Sequence, residues 1–486
     1  MREVICPLLE SAARWPDSPA LCDSSTQFTF RELDSAAAAI AELLRGQGVE
    51  SGVRLAIIES NRLELAPLLW AVFRLGALAV LLNPRFPKAA LADQLAASGC
   101  RYAVRFESSS WPLSLSDLRL IHIDRSDLDG PPPHLTDQVA IPLDRPATVM
   151  FTSGTSDVPK AVLHSFGNHY FNAVGSNENL PLAPGDRWLL SLPLYHVGGM
   201  GILFRCILSR ACIVIPPSGE PLARAIIDHE ITHVSLVPTQ LQRLLDDSRS
   251  VAEAARCLKA VLLGGAAIPD ALNARARKAG LSVYSSYGLT EMASQVATSS
   301  RDNVSLRVLP HRELSMAADG EILVRGNTLF LGYLEADRTR RPLDDRGWFH
   351  TGDIGAVDAH GCLTVIGRKD AMFVSGGENI HPEQIEAALN RVKGIEQALV
   401  VPIDDPEFGQ RPVAFLKYDY RWLKDVPELP PVDETSIITE LEKSLPRFMI
   451  PATFYPWPQG YESTGIKDDR RFFRELAARL RNRRPL

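Results

Sequence analysis

The chain has 486 residues, more than one hydrophobic core usually organises, so two or three domains are expected. Hydrophobic residues make up 45%, charged residues 23% and aromatics 7%, which excludes a disordered chain, and 32 Gly with 35 Pro lacking any strict period excludes a fibre. Lys and Arg number 52 against 58 Asp and Glu, a formal net charge of -6, so no broad positive field argues for nucleic acid and an anionic substrate must be held locally.

In chain order, a helical apolar pattern from about Arg31 to Leu44 precedes the strand RLAII, a helix through APLLWAVF and the strand ALAVLL. The apolar region around these last two is interrupted by Arg74 and Gly76 and is too short to span a bilayer, and the first residues lack the apolar core of a secretion signal. Such alternation predicts an α/β domain with layered parallel or mixed sheets covered by helices. IDRSDLDGPPPHLTDQ (123–138) reads as a loop. In ATVMFTSGTSDVPKAVLHS (147–165) a short strand runs into a small-residue loop, and a helix is predicted from about His164. Strands and helices alternate on through WLLSLPLYHVGG, RACIVIPP, THVSLVPTQLQRLL, KAVLLGGAAIP and LSVYSSYGLTEM.

After about residue 315 strand-like pieces dominate: GEILVRG, GWFHTGDIGAV and GCLTVIGRKD. A boundary is predicted at GRKDAMF, giving a large domain over 1–368 and a small α+β domain over 369–486. The small domain is expected to hold a helix from His381 to Asn390, strands in EQALVVP and RPVAFLKY, a helix from Glu434 to Leu445 and a terminal helix from about Asp468, with WLKDVPELPPVDE as a loop. The cysteines (Cys6, Cys22, Cys100, Cys206, Cys212, Cys257 and Cys362) are odd in number and widely spaced, so a reducing, cytoplasmic setting is expected.

FTSGTSDVPK (151–160) carries the sharpest chemistry. Thr152, Ser153, Gly154 and Thr155 offer hydroxyls and backbone N–H groups to phosphate oxygens, and Lys160 adds a cation, though the spacing is not that of a P-loop. In SSYGLTEM (285–292), Ser286 precedes Tyr287, which can stack on a base, and Gly288, which admits close backbone approach; Thr290 and Glu291 supply oxygen ligands for magnesium. Gly265 in LLGGAAIP is a second small residue beside which a ligand can lie. Asp353 in WFHTGD is an acceptor for ribose hydroxyls, and Arg368 in GRKD a donor. Each alone also fits an ordinary loop, a core tyrosine or a solvated acid.

Together and in this order, TSGTSDVPK, SSYGLTEM, WFHTGD and GRKD resemble the signature segments of the adenylate-forming superfamily of acyl- and aryl-CoA synthetases, adenylation domains and luciferases. The resemblance covers nearly the whole chain, including SGGENIHPEQIE; it departs at Asp157, where the family loop usually has Gly. LPLYHVGGMGILFR, THVSLVPTQLQRLL, PEFGQRPVAF and STGIKDDR resemble more closely the 2-succinylbenzoate–CoA ligases of menaquinone or phylloquinone synthesis.

The resemblance implies ATP, Mg2+ and coenzyme A, no protein nucleophile, and two half-reactions through an acyl-adenylate. It implies that Thr152, Ser153, Thr155 and Lys160 hold ATP's outer phosphates, that Tyr287 and Gly288 lie beside adenine, that Gly154, Gly265 and Ser286 also bind the nucleotide, that Thr290 lies near the α-phosphate, and that Glu291 meets Mg2+. Asp353 and Arg368 fall on the ribose, Lys467 bridges the carboxylate and α-phosphate, and Asp370 is the hinge. His196 is a wall between acyl and nucleotide sites or an ordinary loop residue. Arg205 is a donor for the second carboxylate of 2-succinylbenzoate, or else points to a helix surface; His233 lines the same cavity or caps a strand. Another aryl- or acyl-CoA synthetase, a free-standing adenylation enzyme and a non-catalytic binding protein are the alternatives. The sequence leaves the oligomeric state open.

Overall fold

A computed structural model describes residues 2–107, 118–129, 139–152, 159–266, 268–301, 304–335, 338–418, 434–461 and 469–481. Near the N-terminus, Thr29 starts the helix Phe30–Gly46 with a reciprocal capping box to Glu32, and Phe30, Leu33, Ala37, Ile40 and Leu44 form its buried face. That face shares one core with the helix Leu65–Leu75, which Gly76 ends in the left-handed conformation with φ 74°. Arg74, the charge that interrupts this apolar run, is buried against Asp34, so the run is a core helix with an internal ion pair. Among the described residues, no helix is long and apolar enough to cross a membrane.

The chain divides into two compact units. The first comprises 1–264, 279–314 and 324–349. One of its sheets has eight strands among the described residues, in the order Arg338–Arg340, Gly332–Glu335, Ala161–Ser165, Pro146–Phe151, Leu78–Leu82, Arg54–Ile58, Tyr102–Phe106 and Arg119–Ile123. Arg54–Ile58 and Leu78–Leu82 are parallel neighbours, as the alternating pattern predicts. The helix expected from His164 instead starts at Phe166. Residues Ala161–Ser165 continue as a strand, antiparallel to Pro146–Phe151, and Ser165 caps the helix Phe166–Asn177 through a box with Asn168. All five strand residues are buried, so the alternation that marks a half-exposed strand is missing.

A second sheet of this unit runs parallel through Pro19–Cys22, Cys212–Val214, Arg187–Leu189, His233–Leu236, Ala260–Leu263 and Val283–Leu289. Ser294–Thr298 then pairs antiparallel with the last of these.

The second unit comprises 265–278, 315–323 and 350–486. The strand Phe349–Val357 pairs antiparallel with Cys362–Arg368, placing Asp353 opposite Arg368. A separate sheet is built from Phe373–Ser375, Glu378–Ile380, Ile395–Asp405, Gly409–Tyr418 and Phe454–Pro456. The helices Pro382–Leu389, Glu434–Glu442 and Arg470–Arg481 accompany it, each near its expected place. One core of this unit centres on Ile385, Leu389, Val400 and Leu416, another on Phe415, Tyr455 and Phe473. The expected WLKDVPELPPVDE loop falls outside the described residues, apart from Glu434.

Candidate active site

The phosphate-loop candidate leaves the sheet after Phe151 and rejoins it at Ala161, directly opposite, so its two ends meet at one edge of a strand pair. The Thr152 N–H donates to the Lys160 carbonyl (3.0 Å), which closes the base of the loop. Lys160 is exposed, its Nζ 5.3 Å from the Tyr333 ring centroid. Ser153, Gly154, Thr155 and the departing Asp157 lie outside the described residues.

The strand Val283–Leu289 delivers the second motif. Tyr287 is half-buried, and the Ser286 hydroxyl accepts a hydrogen bond from Thr298 Oγ1 (3.1 Å). Gly288 is obligatory for packing: any Cβ there would overlap the Ser294 carbonyl. The next residues form a tight turn, Thr290–Met292, followed by two non-glycine residues with positive φ, Ala293 (54°) and Ser294 (126°). Glu291 projects from this turn, and its Oε1 accepts a hydrogen bond from the Tyr333 hydroxyl (2.7 Å). That leaves Oε2 for another ligand. Among the described residues, no group of three or more His, Cys, Asp or Glu could enclose an ion. A single carboxylate of this kind suits magnesium that arrives on a triphosphate and keeps most of its oxygen ligands from phosphate and water.

The helix Val197–Ser209 carries the acyl-site candidates. Asn61 shapes the loop before it: its Nδ2 donates to the Leu190 (3.1 Å) and Leu192 (2.9 Å) carbonyls, and its Oδ1 accepts from the Leu194 N–H (2.9 Å). His196 sits at the N-cap beside Tyr195, ring centroids 4.8 Å apart, and burial pushes its imidazole down to about 4, so it is neutral at pH 7. Arg205 lies inside the protein, 0% exposed, which excludes the surface placement. Its Nε, Nη1 and Nη2 have no hydrogen-bond partner among the described residues. The guanidinium stands over Trp188, 5.4 Å from the ring centroid, and turns back along its own helix: a Cβ on Gly201 would be 2.7 Å from Nη2. Burial pulls this group down to about 10, which still leaves it charged at neutral pH. His233 is buried too, with Nδ1 2.8 Å from Thr232 Oγ1 and its ring 5.3 Å from that of Trp188.

In the second unit Asp353, Arg368 and Asp370 form one cluster. Arg368 Nη1 donates to Asp353 Oδ1 (3.1 Å) and the Thr351 carbonyl (2.9 Å), while Nε and Nη2 grip the two Asp370 oxygens (2.9 and 3.0 Å). Burial opposes the charge, but the hydrogen bond and field of Asp370 and the field of Asp353 hold this guanidinium above its usual range. The neighbouring Lys369 donates to Asp319 (2.6 Å) and Glu321 (3.0 Å). Gly265 follows the strand Ala260–Leu263 with φ 85°. Lys467 lies outside the described residues; just beyond it, Arg470 donates to Glu386 (2.7 and 2.8 Å), Glu383 (3.2 Å) and the Val400 carbonyl (2.7 Å).

Three supporting residues were not legible in the motifs. Arg312 is buried and spends its guanidinium on the carbonyls of Gln295 (2.6 Å), Pro310 (2.6 Å) and Asn172 (3.1 Å); burial, with Arg205 as a second cation, lowers it to about 9. Asn172 Nδ2 in turn donates to the Met292 carbonyl (3.1 Å). His164 reaches Thr290 from a strand 126 positions away. No motif in the sequence points to any of them.

Residues 8–334 match the AMP-binding enzyme family, and residues 384–461 match the AMP-binding enzyme C-terminal domain. A 2-succinylbenzoate–CoA ligase from Bacillus licheniformis is 32% identical, covering 92% of this chain and 95% of its own; one from Salmonella typhimurium is 33% identical, covering 93% and 94%. Among solved structures, o-succinylbenzoate CoA synthetase from Bacillus subtilis in complex with the acyl-adenylate intermediate OSB-AMP has a TM-score of 0.84 at 29% identity, covering 97% of this chain and 98% of that one. The same enzyme in complex with ATP and magnesium ion has a TM-score of 0.82 at 30% identity, with coverage of 96% and 98%. With its motifs in order, an α/β first unit and relatives matched along nearly their whole length, this chain belongs to the AMP-binding enzyme family, in the branch of the 2-succinylbenzoate–CoA ligases.

Proposed function

We propose that the chain joins 2-succinylbenzoate to coenzyme A. One carboxylate oxygen of the acid attacks the α-phosphorus of ATP, pyrophosphate leaves, and an acyl-adenylate forms. The coenzyme A thiolate then attacks the acyl carbon and AMP leaves. A free carboxylate is a poor acyl donor, so activation must come first, and the protein contributes positioning and charge stabilisation without a covalent step of its own.

Thr152, Ser153, Gly154, Thr155 and Lys160 hold the outer phosphates. Ser286, Tyr287, Gly288 and Gly265 line the adenine site, Thr290 lies by the α-phosphate, and Asp353 with Arg368 takes the ribose. Magnesium at Glu291 neutralises charge on phosphate oxygens when bound. Lys467 meets the charge that develops between carboxylate and α-phosphate. Asp370 is the hinge on which residues 369–486 turn between half-reactions. His196, neutral and at the mouth of the acyl-site helix, walls the acid from the nucleotide. A cytoplasmic setting fits the seven free cysteines.

The observation that supports this acid over others is Arg205. A charged group taken out of water costs several kcal/mol unless paired, and the Arg205 guanidinium has no hydrogen-bond partner among the described residues. 2-Succinylbenzoate has a second carboxylate that is never activated, and a guanidinium fork suits it. The test is a panel of carboxylic acids with ATP and coenzyme A, following AMP and acyl-CoA, with wild type and Arg205→Leu. The variant should lose on the order of 100-fold in kcat/KM for 2-succinylbenzoate and far less for a benzoate lacking the succinyl arm. It should also unfold no more easily than wild type, since an uncompensated charge has been removed. Equal losses for both acids reject the contact, and a wild-type preference for benzoate or a long-chain acid rejects the substrate.

A further inference from the structure

The turn Thr290–Met292 is held in an unfavourable shape by an unusual number of outside groups. Two successive non-glycine residues beyond it, Ala293 and Ser294, have φ of 54° and 126°. Such conformations cost roughly 1–3 kcal/mol each and persist only where the surroundings fix them. Here each carbonyl of the turn is engaged. The Thr290 carbonyl accepts from the Ala293 N–H (3.0 Å) and from His164 Nε2 (2.7 Å), the Glu291 carbonyl from the Phe330 N–H (2.8 Å), and the Met292 carbonyl from Asn172 Nδ2 (3.1 Å).

His164 is the one ionisable group in that set, and its neighbours fix where its proton sits. A carbonyl oxygen only accepts, so the hydrogen bond to Thr290 requires a proton on His164 Nε2. In the neutral ring Nδ1 is then a bare acceptor. It faces Thr148 Oγ1 at 3.3 Å, across the strand pair in which His164 and Thr148 are direct partners. Thr148 therefore donates to His164, and its oxygen is left to accept from His169 Nε2 at 2.7 Å. The chain ends at His169 Nδ1, which has no partner among the described residues, as a lone pair at the end of such a relay can. Thr148, His164 and His169 are exposed by at most 1%, so bulk water does not offer alternative partners. One proton order satisfies the three residues: His169 to Thr148, Thr148 to His164, His164 to the turn.

We infer that His164 is a positioning residue for the magnesium-bearing turn: the Thr148–His169 chain keeps it as the Nε2–H tautomer, and its bond to Thr290 holds the strained backbone that presents Glu291. The inference rests on the reading of Glu291 as the magnesium ligand. It concerns a group that touches neither ATP nor acid, in the manner of outer partners that orient metal ligands.

Three variants separate the possibilities. His164→Gln keeps an N–H donor near the Nε2 position, His164→Leu removes it, and Thr148→Val removes the hydroxyl that sets the tautomer while keeping its shape. Binding of Mg·ATP by calorimetry without acid, long-range 1H–15N NMR of the imidazoles, and both half-reaction rates are the readouts. His164→Leu should bind Mg·ATP roughly 10- to 100-fold more weakly and slow adenylation by a similar factor. Its use of supplied acyl-adenylate should change by less than about threefold, and His164→Gln should stay within about threefold of wild type throughout. NMR should show His164 as the Nε2–H tautomer in wild type and a shift away from it in Thr148→Val, which tests the chain even if the Leu variant does not fold. Unchanged Mg·ATP binding in a folded Leu variant, equal losses in Gln and Leu variants across both half-reactions, or a His164 that is protonated on Nδ1 in wild type would each overturn the inference alone. Wild-type protein that binds no Mg·ATP would overturn the magnesium reading and this inference with it.

Discussion

At the scale of single residues, chemistry was legible where a side chain's type was enough and illegible where its surroundings decided. The sequence marked Arg205 as a donor, but an arginine after GILF fits a helix surface as readily as an interior. Only the fold shows that it is fully buried, with no hydrogen-bond partner for its guanidinium among the described residues. Arg312 went unread for the same reason: its partners are three backbone carbonyls brought from separate stretches of chain. Lys467 is the opposite case, since STGIKDDR marks it by resemblance. As a donor aimed at charge that appears only during adenylation, Lys467→Ala should lose roughly 3 kcal/mol of transition-state stabilisation and slow that half-reaction at least about 100-fold. Rapid quench on 2-succinylbenzoate with Mg·ATP, set beside consumption of supplied acyl-adenylate by coenzyme A, reads the two steps. Near-normal adenylation, or equal loss in both, would return Lys467 to the role of a solvated charge.

At the scale of elements, the sequence succeeded where apolar pattern and turn residues agreed, as in the helix Phe30–Gly46 and the strands Arg54–Ile58 and Leu78–Leu82. It failed at Ala161–Ser165, because a strand buried on both faces and placed directly before a helix shows no period of two. That miss hid His164, whose meaning depends on facing Thr148 across a strand pair. The hinge is also an element-scale matter. Asp370 is not a free loop acid: Arg368 grips both of its oxygens while also holding Asp353. In the proposed rotation about Asp370, one side chain would stay anchored by the proposed ribose ligand. Asp370→Pro fixes φ at this position and should change the adenylation and thioester rates by unequal factors. Unchanged rates for both steps would place the hinge elsewhere.

At the scale of the whole molecule, several buried histidines make folding sensitive to acid. Burial lowers His164 and His233 to about 4 from the usual 6.5, and burial together with the neighbouring His164 holds His169 well below the usual value. The sign follows from proton counts. Between about pH 6.5 and pH 4 the unfolded chain binds protons that the folded chain does not, so stability is full above that window and falls as the pH drops through it, by about 1.4 kcal/mol per pH unit for each histidine. Urea unfolding of the first unit, followed by the fluorescence of buried Trp70 and Trp188, should show its midpoint falling from pH 7 to pH 5, with a shallower fall in His164→Gln. A midpoint that does not move with pH would show that these rings are not held neutral.

The buried charge of Arg205 and its proposed contact with the acid also bear on how long the protein lasts in a cell. A buried guanidinium with no counter-ion among the described residues draws on the small margin by which any protein stays folded. An acid that supplies the missing carboxylate returns part of that margin by mass action, in proportion to the logarithm of its concentration. Copies that bind the acid through the proposed contact should then resist unfolding and proteolysis better than copies that do not. Limited proteolysis with and without 2-succinylbenzoate should show a longer half-life of the wild type in the presence of the acid and no such gain in Arg205→Leu.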